Sequence, residues 1–150
     1  MTAAQRSPKS SDVSVGDALP DFELHLTSTM IVAGAIASRD FMPAHHDPEY
    51  AKGQGAPDLF VNIMTTNGYV SRFVTDWAGP EALLRKIDIR LGAPNYPGDC
   101  MTMSGGVTAK RTEGGEGLVD VGLRGYNRLG DHVTGTITLA LPTSEGGASR

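Results

Sequence analysis

The chain has 150 residues, a net charge of −4 and a pI near 5.5, which suits one domain and argues against a nucleic-acid binder, whose partner wants a basic face. One cysteine excludes an intramolecular disulfide. Together with an opening stretch, MTAAQRSPKSSD, that has no apolar segment, it reads as a reducing, cytoplasmic setting. No apolar run nears the ~20 residues of a membrane span.

Residues 1–14 are rich in Ser, Lys and Ala without periodicity and read as a disordered tail, as do residues 142–150, leaving one folded domain over 15–141. Residues 21–26 alternate and predict a short strand. Ser28 or Thr29 can cap a helix that ends near Arg39, ahead of Pro43. Asp47 followed by Pro48 is the start signal of a second, short helix. Residues 58–77 form the longest helical pattern: Phe60, Ile63, Met64, Val70, Phe73, Val74 and Trp77 recur at helical spacing, with Asp58 as the expected cap and Gly79-Pro80 as the stop.

Beyond that point the pattern turns to strands. Leu83, Ile87, Ile89 and Leu91 fit one, and Met101, Met103 and Val107 a second that ends at a Gly-rich turn over residues 113–117. Val119, Val121 and Leu123 alternate, as do Val133, Ile137, Leu139 and Leu141, with NRLGD as the hairpin between them. The order is strand, helices, one long helix, then an antiparallel meander, which is α+β with a sheet able to wrap the long helix.

Polar chemistry is densest in the loop RDFMPAHHDP, residues 39–48. Asp40 and His45 lie five apart, and a bend at Pro43 can bring carboxylate and imidazole to one small volume. Such a pair can hold a water, deprotonate it and pass a proton to the other end of a polarised double bond. Taken singly, each residue has a plainer reading as a solvated surface group. His45 and His46 next to Asp47 raise a metal site, but adjacent histidines rarely point the same way and no second ligand cluster accompanies them, so none is expected. Cys100 reads as a small strand hydrophobe, and His25 and His132 as structural or exposed strand residues.

The run Asp40, Met42-Pro43, His45, Asp47-Pro48, Ala51 resembles the MaoC-like hydratases, which carry an Asp, then x-Asn-Pro-x-His, then x-Asp-Pro and an Ala three further on. The stretches RDFMPAHHD, DLFVNIMTTNGYVSRFVTDWAGP, RLGAPNY and GYNRLGDHVTGT resemble, within that family, the small catalytic subunits of actinobacterial steroid side-chain enoyl-CoA hydratases. Two positions depart from the family: Met42 stands where an Asn is usual, and Arg39 where a Gly is usual. The resemblance implies a hot-dog fold, an antiparallel sheet curled round a long helix and paired with a second such domain. It implies Asp40 as base toward water, and His45 as the group that orients the water and supplies a proton to the α carbon. The thioester oxygen is expected at a backbone N–H at the start of the long helix, with Asn62 at that position. The substrate is an enoyl-CoA thioester, with no separate cofactor. The partner is a larger subunit with its own MaoC-like domain, giving a heterotetramer, or a second copy in a homodimer.

Arg85, Lys86 and Arg90 flank one strand and Arg124 and Arg128 another, but most such residues solvate a sheet edge, and none is assigned to CoA. Two other functions remain open at this level. Hot-dog folds also host acyl-CoA thioesterases, and a non-catalytic subunit could scaffold a partner.

Overall fold

A computed structural model describes residues 6–143. Strand β1, Phe22–His25, leads to helix α1, Ser28–Ala37, and a short loop carries helix α2, Pro48–Gly53. The long helix α3 spans Ile63–Ala78, and the strands β2 Leu83–Leu91, β3 Cys100–Glu113, β4 Glu116–Asn127 and β5 Gly130–Leu141 follow. They form one antiparallel sheet of order β1-β3-β4-β5-β2. This is the expected hot-dog architecture.

The sheet forms because its strands alternate. Met101, Met103, Val107, Val119, Val121, Leu123, Val133, Ile137 and Leu139 point inward and are buried, against Val70, Phe73 and Val74 of α3. Burying each such side chain stabilises the fold by roughly 1.5–3 kcal/mol before entropy is subtracted. The β3–β4 turn needs positive φ at both central residues, and Gly114 (57°) and Gly115 (82°) supply it. Register shifts at Val107/Ala109, Leu84/Lys86 and Gly125/Tyr126 interrupt the ladders, and irregularities of this kind bend a strand and increase its twist, helping a sheet curl.

Three expectations need correction. The cap of α1 is Thr27, whose Oγ1 accepts the Met30 N–H at 3.2 Å, not Ser28 or Thr29. The long helix starts at Ile63, not Asp58. Residues 58–62 instead run across the fold: Phe60 N–H donates to Ala44 O at 3.4 Å and Val61 N–H to Asn95 O at 3.1 Å. Asn62 then caps α3 by accepting the Thr65 N–H at 3.0 Å. Third, the disordered tail expected through residue 14 is not what residues 6–14 form. Val13 is buried in the core, Ser7 Oγ accepts the Glu81 N–H, and Ser10 N–H donates to Pro142 O. A lone apolar side chain among serines gives no periodic signal, so this packing was not visible. Residues 1–5 and 144–150 of the two expected tails lie outside the described residues. Among the described residues no helix is long and apolar enough to cross a membrane.

Candidate active site

Helix α1 ends by bending back on itself. Arg39 N–H donates to Ile36 O and Asp40 N–H to Ala35 O, with Arg39 at φ 58°. This pair of bonds closes a helix around a left-handed residue, a place that favours glycine. It throws Asp40 off the helix end. Pro43–His45 then form a single 3-10 turn, with His45 N–H returning to Met42 O. The chain therefore reverses within six residues, Asp40 to His45, and the two side chains meet.

Asp40 Oδ2 lies 3.6 Å from His45 Nε2, with the aspartate side chain 28% and the histidine side chain 11% exposed. His45 Nδ1 lies 2.8 Å from Phe60 O, so Nδ1 carries a hydrogen. The Phe60 ring packs edge-on against the imidazole. With Nδ1 fixed as donor, Nε2 of a neutral ring is an acceptor facing a carboxylate, which is also an acceptor. A distance of 3.6 Å is too long for a direct hydrogen bond. A small molecule with two hydrogens to donate satisfies both groups.

Asp40 is held ionised. Its Oδ2 accepts Asn62 Nδ2 at 2.9 Å and its Oδ1 accepts the Met42 N–H at 3.2 Å. The Asn62 amide, then the Met42 N–H, and also His45, hold the carboxyl below its ordinary 3.8, against partial desolvation. His46 takes no part: its Nε2 turns to Phe41 O at 3.2 Å.

Asn62 enters this site by a route the sequence did not reveal. It is buried, and besides Asp40 its Nδ2 donates to Ser38 Oγ at 2.9 Å. Its position at the start of α3 was legible; its side-chain contacts were not. One turn on, the Thr66 hydroxyl lies 3.2 Å from Asn62 O and 2.9 Å from His132 Nε2. His132 Nδ1 in turn lies 2.7 Å from Ala93 O, and burial pushes this imidazole below its ordinary 6.5.

An open groove of about 640 Å³ runs between α1 and α3, lined by Met30, Ala33, Ala37, Met64, Gly68 and Tyr69 among others, and Ser38 and Thr65 also line it. Ser38 is bonded to Asn62, so the groove reaches the neighbourhood of the carboxylate. Exposed Phe41, Met42, Ile63 and Met64 add apolar surface on the Asp40 loop and the first turn of α3.

Most of the basic residues on the strands are paired, Arg85 with Glu116, Lys86 with Asp88, Arg111 with Asp120 and Arg124 with Asp131, and in the β4–β5 turn Arg128 pairs with the buried Asp99. Away from the dyad, donor atoms of Glu23, His25 and Cys100 lie within 4.8 Å of one another near the β1 edge.

The curled sheet, the helix it encloses and the Asp40/His45 pair beside that helix's first turn define a hot-dog domain with a polar site at the helix start. The chain belongs to the MaoC-like domain family, whose pattern it matches over residues 14–124. It is 49% identical, over 87% of its own length and 98% of the relative's, to the 3-oxo-4,17-pregnadiene-20-carboxyl-CoA hydratase beta subunit of Mycobacterium tuberculosis. A chain of the ChsH1-ChsH2 complex from Mycobacterium tuberculosis superposes with a TM-score of 0.80 at 49% identity, covering 85% of this chain and 98% of that one. The (R)-hydratase from A. caviae involved in PHA biosynthesis shares the fold, with a TM-score of 0.77 at 23% identity over 87% of this chain and 98% of its own.

Proposed function

We propose that this chain is the catalytic subunit of an enoyl-CoA hydratase that adds water to a bulky, steroid-type enoyl-CoA thioester. The observation that carries the reading is the facing pair, Asp40 Oδ2 and His45 Nε2, 3.6 Å apart with Nδ1 already committed to Phe60 O. A water between them gives a hydrogen to Asp40. Its oxygen bonds to the β carbon, and the double-bond electrons move toward the thioester carbonyl. Asp40 passes the water's proton across the gap to the acceptor Nε2 of His45, and His45 delivers it to the α carbon, which returns both groups to their starting forms. The enoyl carbons gain H and OH, and nothing else is consumed.

The charge that develops on the thioester oxygen needs donors. An α-helix leaves its first N–H groups unpaired. The Thr65 N–H is taken by the Asn62 side chain, which leaves the backbone N–H groups from Asn62 to Met64 for an oxyanion. Losing one such donor typically lowers turnover by about 10²–10³. The apolar groove between α1 and α3 falls within the ~300–1,000 Å³ of ordinary ligand sites and suits the hydrocarbon part of the acyl group.

A partner fits the same reading. Strand β2 ends the sheet, with no strand on its outer side among the described residues and with Leu83, Leu84 and Leu91 exposed, a surface that folded proteins cover or pair. A larger subunit with its own MaoC-like domain, in a heterotetramer, would cover it, as would a second copy. The absence of disulfides accords with a cytoplasmic setting.

The test is incubation with a panel of enoyl-CoA thioesters, with and without a larger MaoC-like subunit, following product mass and free thiol. Product heavier by one water with no thiol supports hydration. Thiol release in its place would establish a thioesterase, and turnover unchanged by loss of both Asp40 and His45 would reduce the chain to a scaffold.

A further inference from the structure

We infer that Asn62 is a positioning residue for Asp40: its side-chain amide, locked in one orientation by the start of α3, holds carboxylate oxygen Oδ2 where that oxygen faces His45. The inference deepens the hydratase reading and rests on Asp40 as its base.

The orientation of this amide is decided by its neighbours. Asn62 Oδ1 accepts the Thr65 N–H at 3.0 Å, so the oxygen must lie toward the helix. A flipped amide would put NH₂ against that N–H and an oxygen against the carboxylate, two repulsive contacts in place of two bonds. The nitrogen's two hydrogens are then divided between Asp40 Oδ2 and Ser38 Oγ, both at 2.9 Å. Ser38 is itself fixed, because its hydroxyl lies 2.8 Å from Gly34 O and 3.1 Å from Ala35 O at the end of α1. Asn62 is buried at 2% exposure, so water cannot readily replace these bonds.

The consequence for Asp40 is geometric and electrostatic. The Met42 N–H holds Oδ1 and the Asn62 amide holds Oδ2, so the plane of the carboxylate cannot turn. The Met42 side chain is 46% exposed, and only its backbone N–H bonds to Asp40. Among the described residues Asn62 is thus the neutral side chain that donates to the aspartate. A donor on Oδ2 leaves that oxygen one free lone pair, and the water must stand there, beside Nε2. The same donor favours the ionised carboxyl, the form a base needs.

A cap alone is a different role, and serine separates the two. Serine is a good N-cap, so Asn62→Ser keeps an acceptor for Thr65 while removing the amide that reaches Asp40; its shorter hydroxyl stays beside the helix start. The first measurement needs no substrate: titration of the Asp40 side-chain carboxyl by carbon NMR in the isolated chain. The midpoint is expected to rise in Asn62→Ser, and an unchanged midpoint overturns the inference. The second is the pH profile of hydration of an enoyl-CoA thioester by the assembled protein. Loss of a hydrogen bond to a charged group should lower kcat by about 10–100-fold and move the acid limb upward, with KM little changed. Should Asn62→Ser not fold, Ser38→Ala frees the amide's other anchor and should shift the carboxyl midpoint in a folded background; no shift there also overturns the inference. Asp40→Asn serves as the control. If it keeps full activity, the base assignment fails; if it is inactive while Asn62→Ser matches the parent in midpoint and profile, only the role of Asn62 fails.

Discussion

The meander of β3, β4 and β5 and the loop from Ser38 to His45 are built on different terms. The strands are long, joined by tight turns, and carry rows of buried Val, Ile, Leu and Met. Their position depends on many interchangeable contacts, each modest. The loop buries Ala44 and His45 but leaves Phe41 and Met42 exposed, and Arg39 sits at a φ of 58°. Its shape depends on a few specific bonds: Asp40 N–H to Ala35 O, Met42 N–H to Asp40 Oδ1, His45 Nδ1 to Phe60 O, and Asn62 to Asp40. A redundant scaffold tolerates substitution and loses stability by degrees. A site held by single bonds loses its geometry when one is removed, with little change in overall stability.

Substitutions can break this contrast from either side. Ile137 is fully buried on β5, and Ile137→Ala should cost about 2–5 kcal/mol. Denaturant unfolding would read that loss, while kcat below the new melting temperature should stay near the parent's. A large fall in kcat in the folded variant would show that scaffold and site are not separable.

Gly34 lies where α1, the helix that leads into the loop, meets α3. A Cβ there would come within 2.4 Å of Thr65 Oγ1, so Gly34→Ala must displace the Thr65 side chain or push α1 away from α3. Overpacking of this kind costs about 1–3 kcal/mol. Because Ser38 hangs from the same helix end, activity should fall further than stability alone accounts for. Thermal melts set beside kcat measure the two losses separately.

The smallest effect is a pH dependence carried by His132. Burial lowers its pKa below the ordinary 6.5, so between the folded and ordinary values the unfolded chain binds the extra proton. Stability is therefore complete above 6.5 and is lost as pH falls toward the folded value. Melting temperatures over that range should decline in the parent and decline less in His132→Gln, where nothing titrates.

The same contrast governs what the sequence disclosed. Strand alternation, the stop of α3 at Gly79 and the Asp47-Pro48 start of α2 are local signals, and each is where its pattern placed it. Asp40 and His45 could be paired because one short loop carries both, and a turn at Pro43 suffices to join them. The start of α3 was misread because Phe60 stands at helical spacing from Ile63 and Met64; what holds Phe60 and Val61 out of the helix is Ala44 and Asn95, remote in sequence. The bonds from Asn62 to Ser38 and Asp40 span 24 and 22 residues and leave no local trace. Long-range polar contacts of this sort appear only once the chain has closed on itself.

The most direct test of the account is the rate of enoyl-CoA hydration, read as loss of enoyl absorbance, in Asp40→Asn and His45→Gln beside the parent protein in its full assembly. General acid–base partners contribute about 10²–10⁴-fold each, so either substitution should lower the rate by that order while circular dichroism and melting temperature remain close to the parent's. A folded variant of either kind that hydrates at the parental rate would contradict the central claim that one water is held and split between these two side chains.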